Sequence, residues 1–384
     1  MGLRTSLAAR LGLLVVLGFA AAVAVGAHLF PIFNWDILAY LASAYDAPNL
    51  NPEDVHSHAY ETVRRAAPES EFLLLTGLGD GNSYRIRQYT DPDAFITMLS
   101  LYKVKWLYVQ VVAWLSNFTD PLVAIRLISS VSSVALCVVA AGWLALRNAL
   151  HLGPLAVASL ILLGITGLAR SGTPDVLSAA LVVAGMLAVL HRVEVIAAPL
   201  LFAAFLVRPD NIVYIGMLAG VFIVMRSVSW GTVAALAAAT VAYVPISNAP
   251  GYPGWWAHLW FTRVEYVETL EGFAPDFSPV VYLHSLAEAT TRAAIGEPWP
   301  AVLVVGCAVW WQFVQNRIPI TRRESAVLWT TLLAVAAKLL VFPVDHTRFY
   351  MGYVVVFCLV LLGAAGSVRW EPPWRSSALS ANTG

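Results

Sequence analysis

The stretch PDVLSAALVVAGMLAVLHRVEVIAAPLLFAAFLVRPDNIVYIGMLAGVFIVM, residues 174–225, decides the fold class. It contains three apolar runs, 174–190, 194–207 and 211–225. Its charged residues, Asp175, Arg192, Glu194, Arg208 and Asp210, all stand at the edges of those runs. The whole chain of 384 residues repeats this pattern: 59% of it is hydrophobic and 12% is charged, with a mean hydropathy of +0.72. A soluble domain carries roughly 25% charged residues. So many apolar side chains do not fit inside a soluble core, so lipid is the expected solvent.

Outward from this stretch, further apolar runs fall at 11–33, 121–146, 153–169, 231–247, 299–315, 325–343 and 349–367. The expectation is an all-α, polytopic membrane protein of about ten transmembrane helices, forming a single transmembrane domain over 1–384. The first run, Leu11 to Phe33, is longer than the roughly 7–15 apolar residues of a cleaved signal peptide. It is read as a retained helix, although Ala22-Val23-Ala24 resembles a cleavage site. Tyr102 to Phe118 is apolar but short, and charge sorting settles its place. If it lies along the surface, the inside loops hold Arg4 and Arg10, Arg147, Arg192, Arg226, then Arg317, Arg322 and Arg323, and finally Arg369 and Arg375. If it spans, those arginines move outside.

The first arrangement obeys the positive-inside rule and makes 102–118 an interfacial helix. It predicts a multi-pass protein of the cell inner membrane with both termini cytoplasmic, the tail 368–384 included. The long loops 34–121, with juxtamembrane helices, and 248–297 then lie on the periplasmic or extracellular side. Within the first, Glu53 to Ala67 reads as helical and Asp80 to Tyr89 as a turn-rich connection.

Several function classes are disfavoured. A net charge of +0 gives no reason to expect nucleic acid as a partner. Cys137, Cys307 and Cys358 lie in apolar stretches without metal-ligand spacing. No metalloprotease helix, nucleophile elbow or Walker loop occurs. Gly77-Leu78-Gly79-Asp80-Gly81-Asn82 lacks the strand-to-helix context of a phosphate loop and reads as a turn.

Charges near membrane depth are costly, about 2.5–3.5 kcal/mol each on insertion scales. Four places on the outer side carry them. Asp36 stands where the first helix exits, with Tyr40 one turn on. Arg170 precedes Thr173-Pro174-Asp175, and Arg208-Pro209-Asp210 starts the next inward helix. Capping explains an Asp in a first helical turn, but not the arginines. The run before Arg208 extends only about 21 Å, so Arg208 is expected below the outer surface. The fourth place is Asp345-His346-Thr347-Arg348-Phe349-Tyr350. Lys103 and Lys105 add positive charge near the surface helix.

Fixed cations and carboxylates on one side suit a reaction on an anionic, lipid-borne group. In a lipid-phosphate-linked sugar the leaving group is already a phosphate. Arg or Lys takes up its charge, and one carboxylate serves as base toward an acceptor hydroxyl.

The layout resembles the polyprenyl-phosphate-sugar-dependent glycosyltransferases of the C fold (GT-C). These include protein O-mannosyltransferases, the lipid A aminoarabinose transferase and mycobacterial mannosyltransferases. Asn34-Trp35-Asp36-Ile37-Leu38-Ala39-Tyr40 is similar to their motif after the first helix. Tyr102-Lys103-Val104-Lys105-Trp106-Leu107-Tyr108 is similar to their Lys-Pro-Pro-Leu-Tyr stretch, with Val104 and Trp106 in place of the prolines. Arg126 matches the Arg opening the second span. Pro174-Asp175-Val176-Leu177 and Arg208-Pro209-Asp210 resemble later motifs. The resemblance covers residues 11–226 in order of elements.

It implies a membrane glycosyltransferase with Asp36 as base or acceptor-orienting carboxylate. Lys105 and Arg208 would be phosphate ligands and Asp175 a second site carboxylate. The wider substrate-binding set is Tyr40, Lys105, Arg170, Asp175, Arg208, Asp210, His346, Arg348 and Tyr350. No metal ligand is assigned, and a divalent metal is left open because the acidic residue before the lysine is absent. Implied partners are a polyprenyl-phosphate sugar donor, membrane lipids and an acceptor lipid, glycan or protein. The alternatives are a lipid-linked saccharide flippase or transporter, which would keep its ionisable residues near the midplane, and an O-antigen-type polymerase.

Overall fold

The computed structural model describes residues 6–47 and 49–367, and all regular structure among them is helical. Arg4, Arg369, Arg375 and the tail 368–384 assigned to the cytoplasm lie outside the described residues. Each apolar run is helical: Leu7–Leu29, Pro121–Leu146, Gly153–Leu162 continued by Ile165–Arg170, Asp175–Leu190, Glu194–Val207, Asn211–Val224, Trp230–Asn248, Pro298–Gln315, Arg322–Val341 and Met351–Ala365. Local chemistry sets the starts. Asp120 Oδ1 accepts from Leu122 N at 2.9 Å ahead of Pro121 at the first helical position. Thr321 and Glu324 form a reciprocal capping box.

The stops share one device. After Leu146, Leu190, Val224 and Gln315 the chain turns through a left-handed residue, Asn148, Arg192, Arg226 and Arg317. In each turn an amide beyond it returns to a carbonyl five positions back, as Val193 N does to Ala188 O at 2.9 Å. This is the Schellman arrangement, in which Gly is usual. Three arginines accept the backbone strain here, where a cation also faces the negative helix end.

These turns gather at one end of the bundle. Arg147 pairs with Glu324 at 3.1 Å, and Arg323 donates to Val189 O at 2.6 Å and Val228 O at 3.3 Å. Gly12 meets the turn at Leu150 here. A Cβ on Gly12 would stand 1.8 Å from Leu150 O, so only glycine fits. At the opposite end Arg170 Nε donates to Phe30 O at 2.5 Å, Arg208 pairs with Asp175 and Trp299 Nε1 donates to Asp345 O at 2.8 Å. The apolar runs therefore alternate in direction between a basic end and an end rich in both charges.

Among the described residues, four helices are long and apolar enough to cross a bilayer: Leu7–Leu29, Pro121–Leu146, Trp230–Asn248 and Arg322–Val341. The pair Pro279–Gly296 and Pro298–Gln315, bent by 73°, gives a fifth if read as one broken span. The others are shorter. Glu194–Val207 has 14 residues, about 21 Å at 1.5 Å each, against a hydrocarbon core of about 30 Å. These short helices each turn a face into the bundle, where Met186, Phe205, Tyr214, Val354 and Phe357 are fully buried.

Seven helices cover the charged end: Trp35–Tyr45, Pro52–Ala66, Glu69–Thr76, Ser83–Thr90, Pro92–Met98, Ser100–Lys103 and Trp106–Ser116. They have their own core around Leu38, Val55, Ala59, Phe95 and Tyr108. Pro52–Ala66 agrees with the helix expected there. Asp80 to Tyr89 does not form a continuous turn, because Asn82 caps a helix by accepting from Arg85 N at 3.0 Å. Trp106–Ser116 buries Tyr108, Val109 and Val112 and exposes Trp114. It begins only after Lys105, because Ser100–Lys103 ends in a separate turn.

Candidate functional site

Asp36 lies in the first turn of Trp35–Tyr45. Asn34 fixes that turn twice: its Oδ1 accepts from Ile37 N at 3.2 Å, and its Nδ2 donates to Ser171 O at 2.8 Å. Both carboxylate oxygens of Asp36 are engaged. Tyr102 Oη donates to Oδ1 at 2.9 Å and Arg348 Nη1 donates to Oδ2 at 2.8 Å. Burial disfavours the charge on Asp36, but Arg348, with Lys105 and the Tyr102 hydroxyl, outweighs it and holds the carboxyl below its ordinary range.

Lys105 sits beside this pair. Its Nζ donates to Leu101 O at 2.8 Å and lies 4.7 Å from the Tyr102 ring centre and 5.7 Å from that of Tyr40. Burial and then Arg208 push Lys105 down to about 8, against the pull of Asp36. Tyr40 shares its helix with Asp36 and packs edge-on against Tyr102 and Tyr108.

The second half is built where two Pro-Asp segments meet. Arg208, with 9% of its side chain exposed, pairs with Asp175 and reaches Asp210 through Nε at 3.1 Å and Nη2 at 3.2 Å. Thr173 Oγ1 donates to Asp175 Oδ2 at 2.7 Å. Neither aspartate is spent on capping the helix it precedes or opens: no side-chain cap bond forms at Asp175–Leu190 or Asn211–Val224. Asp210 also accepts from Lys338 at 2.5 Å. Burial opposes its ionisation, yet Arg208 and Lys338 hold its pKa well below the ordinary value.

Four cations, Lys105, Arg208, Lys338 and Arg348, thus face three carboxylates, Asp36, Asp175 and Asp210, an excess of one positive charge. Beside them lies a narrow cleft, about 10 Å³ in cavity volume, lined by Asp175, Arg208, Asn211, Lys338, Arg348 and Tyr353 among others. Three helix starts converge on it, those of Asp175–Leu190, Asn211–Val224 and Met351–Ala365. Their dipoles favour an anion.

The sequence-derived residues divide. Asp36, Tyr40, Lys105, Asp175, Arg208, Asp210 and Arg348 come together. Tyr350 lies beside them, its hydroxyl spent on Val344 O at 2.7 Å and its ring packed on Trp299. Arg170 instead ties the exit of the first helix, and Ile32 N returns to Arg170 O at 2.9 Å. His346, more than half exposed, pairs with Glu297 at 3.3 Å.

Glu297, Asp345 and His346 bring ligand atoms within 4.8 Å of one another. One Glu297 oxygen is held by Thr347 N at 2.8 Å, and one Asp345 oxygen by the buried Arg263 at 2.8 Å. Arg263 balances Asp345, and Thr347 and His346 hold Glu297, so the group reads as a hydrogen-bonded strut.

Two site groups were not singled out from the sequence. Lys338 was hidden as a member of an apolar run, yet a lysine within a span is itself a signal. His258, hydrogen-bonded to Tyr252 at 2.9 Å, carried no sequence signal. Burial, with Lys105 nearby, pushes His258 down to about 3, so it is neutral at pH 7.

No protein-family model, no curated protein and no solved structure matches the chain.

Proposed function

We propose that this chain is a multi-pass membrane glycosyltransferase that moves a sugar from a polyprenyl-phosphate donor to an acceptor hydroxyl. In this reading its ten apolar runs each pass through an inner membrane. The basic turns and both termini face the cytoplasm, and the charged end faces outward. One observation carries the reading: an ionised carboxylate, Asp36, stands beside Lys105, Arg348 and an anion-suited cleft at one end of an apolar bundle.

The chemistry follows from that neighbourhood. Asp36 orients the acceptor hydroxyl and takes its proton. The acceptor oxygen forms a bond to the anomeric carbon from the face opposite the phosphate. The bond from that carbon to the phosphate oxygen breaks, and its electron pair stays on the phosphate. Lys105, Arg208 and Arg348 balance the added charge. A single displacement of this kind inverts the sugar centre. A phosphate leaves without protonation, so one carboxylate is enough, unlike the paired carboxyls of glycoside hydrolysis.

Purified protein in detergent with a polyprenyl-phosphate sugar should consume the donor, and Asp36→Asn should abolish consumption while leaving yield unchanged. Donor untouched by wild type across a panel of sugars sinks the reading.

A second reading, a lipid-linked saccharide transporter, is favoured by Lys338, an ionisable residue inside an apolar helix. Movement of labelled lipid across vesicles without donor consumption would select it.

A further inference from the structure

Arg348 is the least committed of the arginines and lysines lining the cleft. Its side chain is 36% exposed, against 9% for Arg208 and 6% for Lys338. It has one carboxylate partner, Asp36. Arg208 has two, Asp175 and Asp210, and Lys338 is held by Asp210 and by Phe349 O at 2.5 Å. Arg348 also sits in a 3-10 turn, Thr347–Phe349, rather than within a long helix. An anion entering the cleft therefore meets one cation that can change partners at low cost.

The pair that would be broken matters. Asp36 has Tyr102 on one oxygen and Arg348 on the other. Each oxygen keeps a lone pair, but the Arg348 charge beside Oδ2 weakens the carboxylate as a base toward an acceptor hydroxyl. The phosphodiester of a polyprenyl-phosphate sugar carries one negative charge and accepts an Arg fork through its two unesterified oxygens, and the lipid phosphate monoester released from it carries more charge. Transfer of the guanidinium to phosphate would free Asp36 Oδ2. Burial would then raise the basicity of the carboxyl, because the charge that opposed burial has moved away.

We infer that Arg348 is an anion-responsive latch on Asp36: it pairs with the carboxylate in the empty site and passes to the phosphodiester of the bound donor, which readies Asp36 for the acceptor. The inference rests on the glycosyltransferase reading for its purpose, but not for its test. It makes donor binding the first step. An acceptor alone meets a carboxylate whose charge Arg348 still balances. After transfer, loss of the lipid phosphate returns Arg348 to Asp36. Arg348 is a positioning residue for Asp36 as well as a phosphate ligand. The titratable and charged groups facing Asp36 are Arg348, Lys105, Tyr102, Tyr40, Tyr84 and Tyr108. Of these, Arg348 alone both bonds to the carboxylate and lines the cleft.

The test is a binding cycle that needs no turnover. Affinity for farnesyl phosphate, and separately for inorganic phosphate, is measured by calorimetry on full-length protein in detergent at constant pH. If the anion must take Arg348 from Asp36, Asp36→Asn binds phosphate about tenfold tighter than wild type, because the competitor is gone. Arg348→Gln binds more weakly. The double variant matches Arg348→Gln, because the gain from Asp36→Asn exists only through Arg348. Arg348→Lys recovers part of the gain.

A general charge effect would instead leave the Asp36→Asn gain intact in the Arg348→Gln background, and that result overturns the latch. So does an Asp36→Asn affinity equal to wild type, or no binding of either probe. The cycle seen with both probes means that the phosphate group alone moves the latch. The cycle seen only with farnesyl phosphate means that the lipid must seat it; either outcome supports the latch. Sugar transfer without the cycle removes the latch and leaves the glycosyltransferase. The cycle without transfer of any sugar removes the glycosyltransferase and leaves the latch.

Discussion

Lys338 Nζ lies 2.5 Å from Oδ2 of Asp210, whose other oxygen accepts from Arg208 Nε at 3.1 Å. One carboxylate at a helix junction thereby holds two buried cations at the floor of the cleft. The rings of Phe349, Tyr350 and Tyr353 surround the ammonium, the nearest at 4.9 Å.

Lys338→Met keeps the length of the side chain and removes the charge. Asp210 keeps Arg208, so the fold should lose only about 1–3 kcal/mol, the cost of one missing partner. The excess positive charge of the cleft disappears, and donor affinity should fall about tenfold or more. Chemical denaturation and donor titration on the same preparation measure the two effects. An unchanged donor affinity would remove Lys338 from the site.

The Arg208–Asp175 pair is buried on both sides, with 9% and 2% of the side chains exposed. Arg208→Leu leaves Asp175 without its cation in an apolar setting and should cost about 3–5 kcal/mol. Asp175→Asn in the same chain should restore much of that loss, because an amide has no charge to leave unpaired. Thermal unfolding in detergent checks the cycle. Activity is not expected to return with stability, since the cleft has lost a phosphate ligand.

The pH profile should reflect Lys105. Its folded pKa is depressed to about 8, so it is charged below that pH and loses its charge as the pH rises through it. Asp36, held below the ordinary carboxylate range, stays ionised over the same interval. Donor affinity should therefore be flat through neutrality and fall above about pH 8. Lys105→Arg should move that fall beyond about pH 10. A wild-type profile flat to pH 10 would mean that Lys105 does not bind the donor.

The sequence revealed the helices well, because lipid-facing runs leave a continuous apolar signal. Pro121–Leu146 and Glu194–Val207 begin and end where the residue pattern placed them. Helix length limits what the pattern says of a span: the run 194–207 forms a helix of 14 residues, shorter than a hydrocarbon core, with one face buried and Val195 and Ile196 exposed. Site membership was legible only by the end of the bundle on which a residue falls. Arg170 and Arg348 look alike in sequence, each beside a Thr or Ser just outside an apolar run. The direction of the side chain separates them, toward Phe30 O in one case and Asp36 in the other. That choice depends on contacts between residues 140 and 312 positions apart, which no local pattern encodes.

That separation yields the last prediction. Arg170 Nε holds the backbone at Phe30, and His346 faces Glu297 at the exposed rim. Neither side chain reaches the cleft. Arg170→Gln should destabilise the exit of the first helix slightly, by about 1 kcal/mol, the worth of one hydrogen bond. Its donor affinity and the pH at which affinity falls should match wild type. His346→Ala removes an exposed pair, which is worth roughly 0–1 kcal/mol, and should also leave donor affinity unchanged. A tenfold loss of donor affinity in His346→Ala would instead draw Glu297, Asp345 and His346 into the site and make a cation at that group the next ligand to titrate.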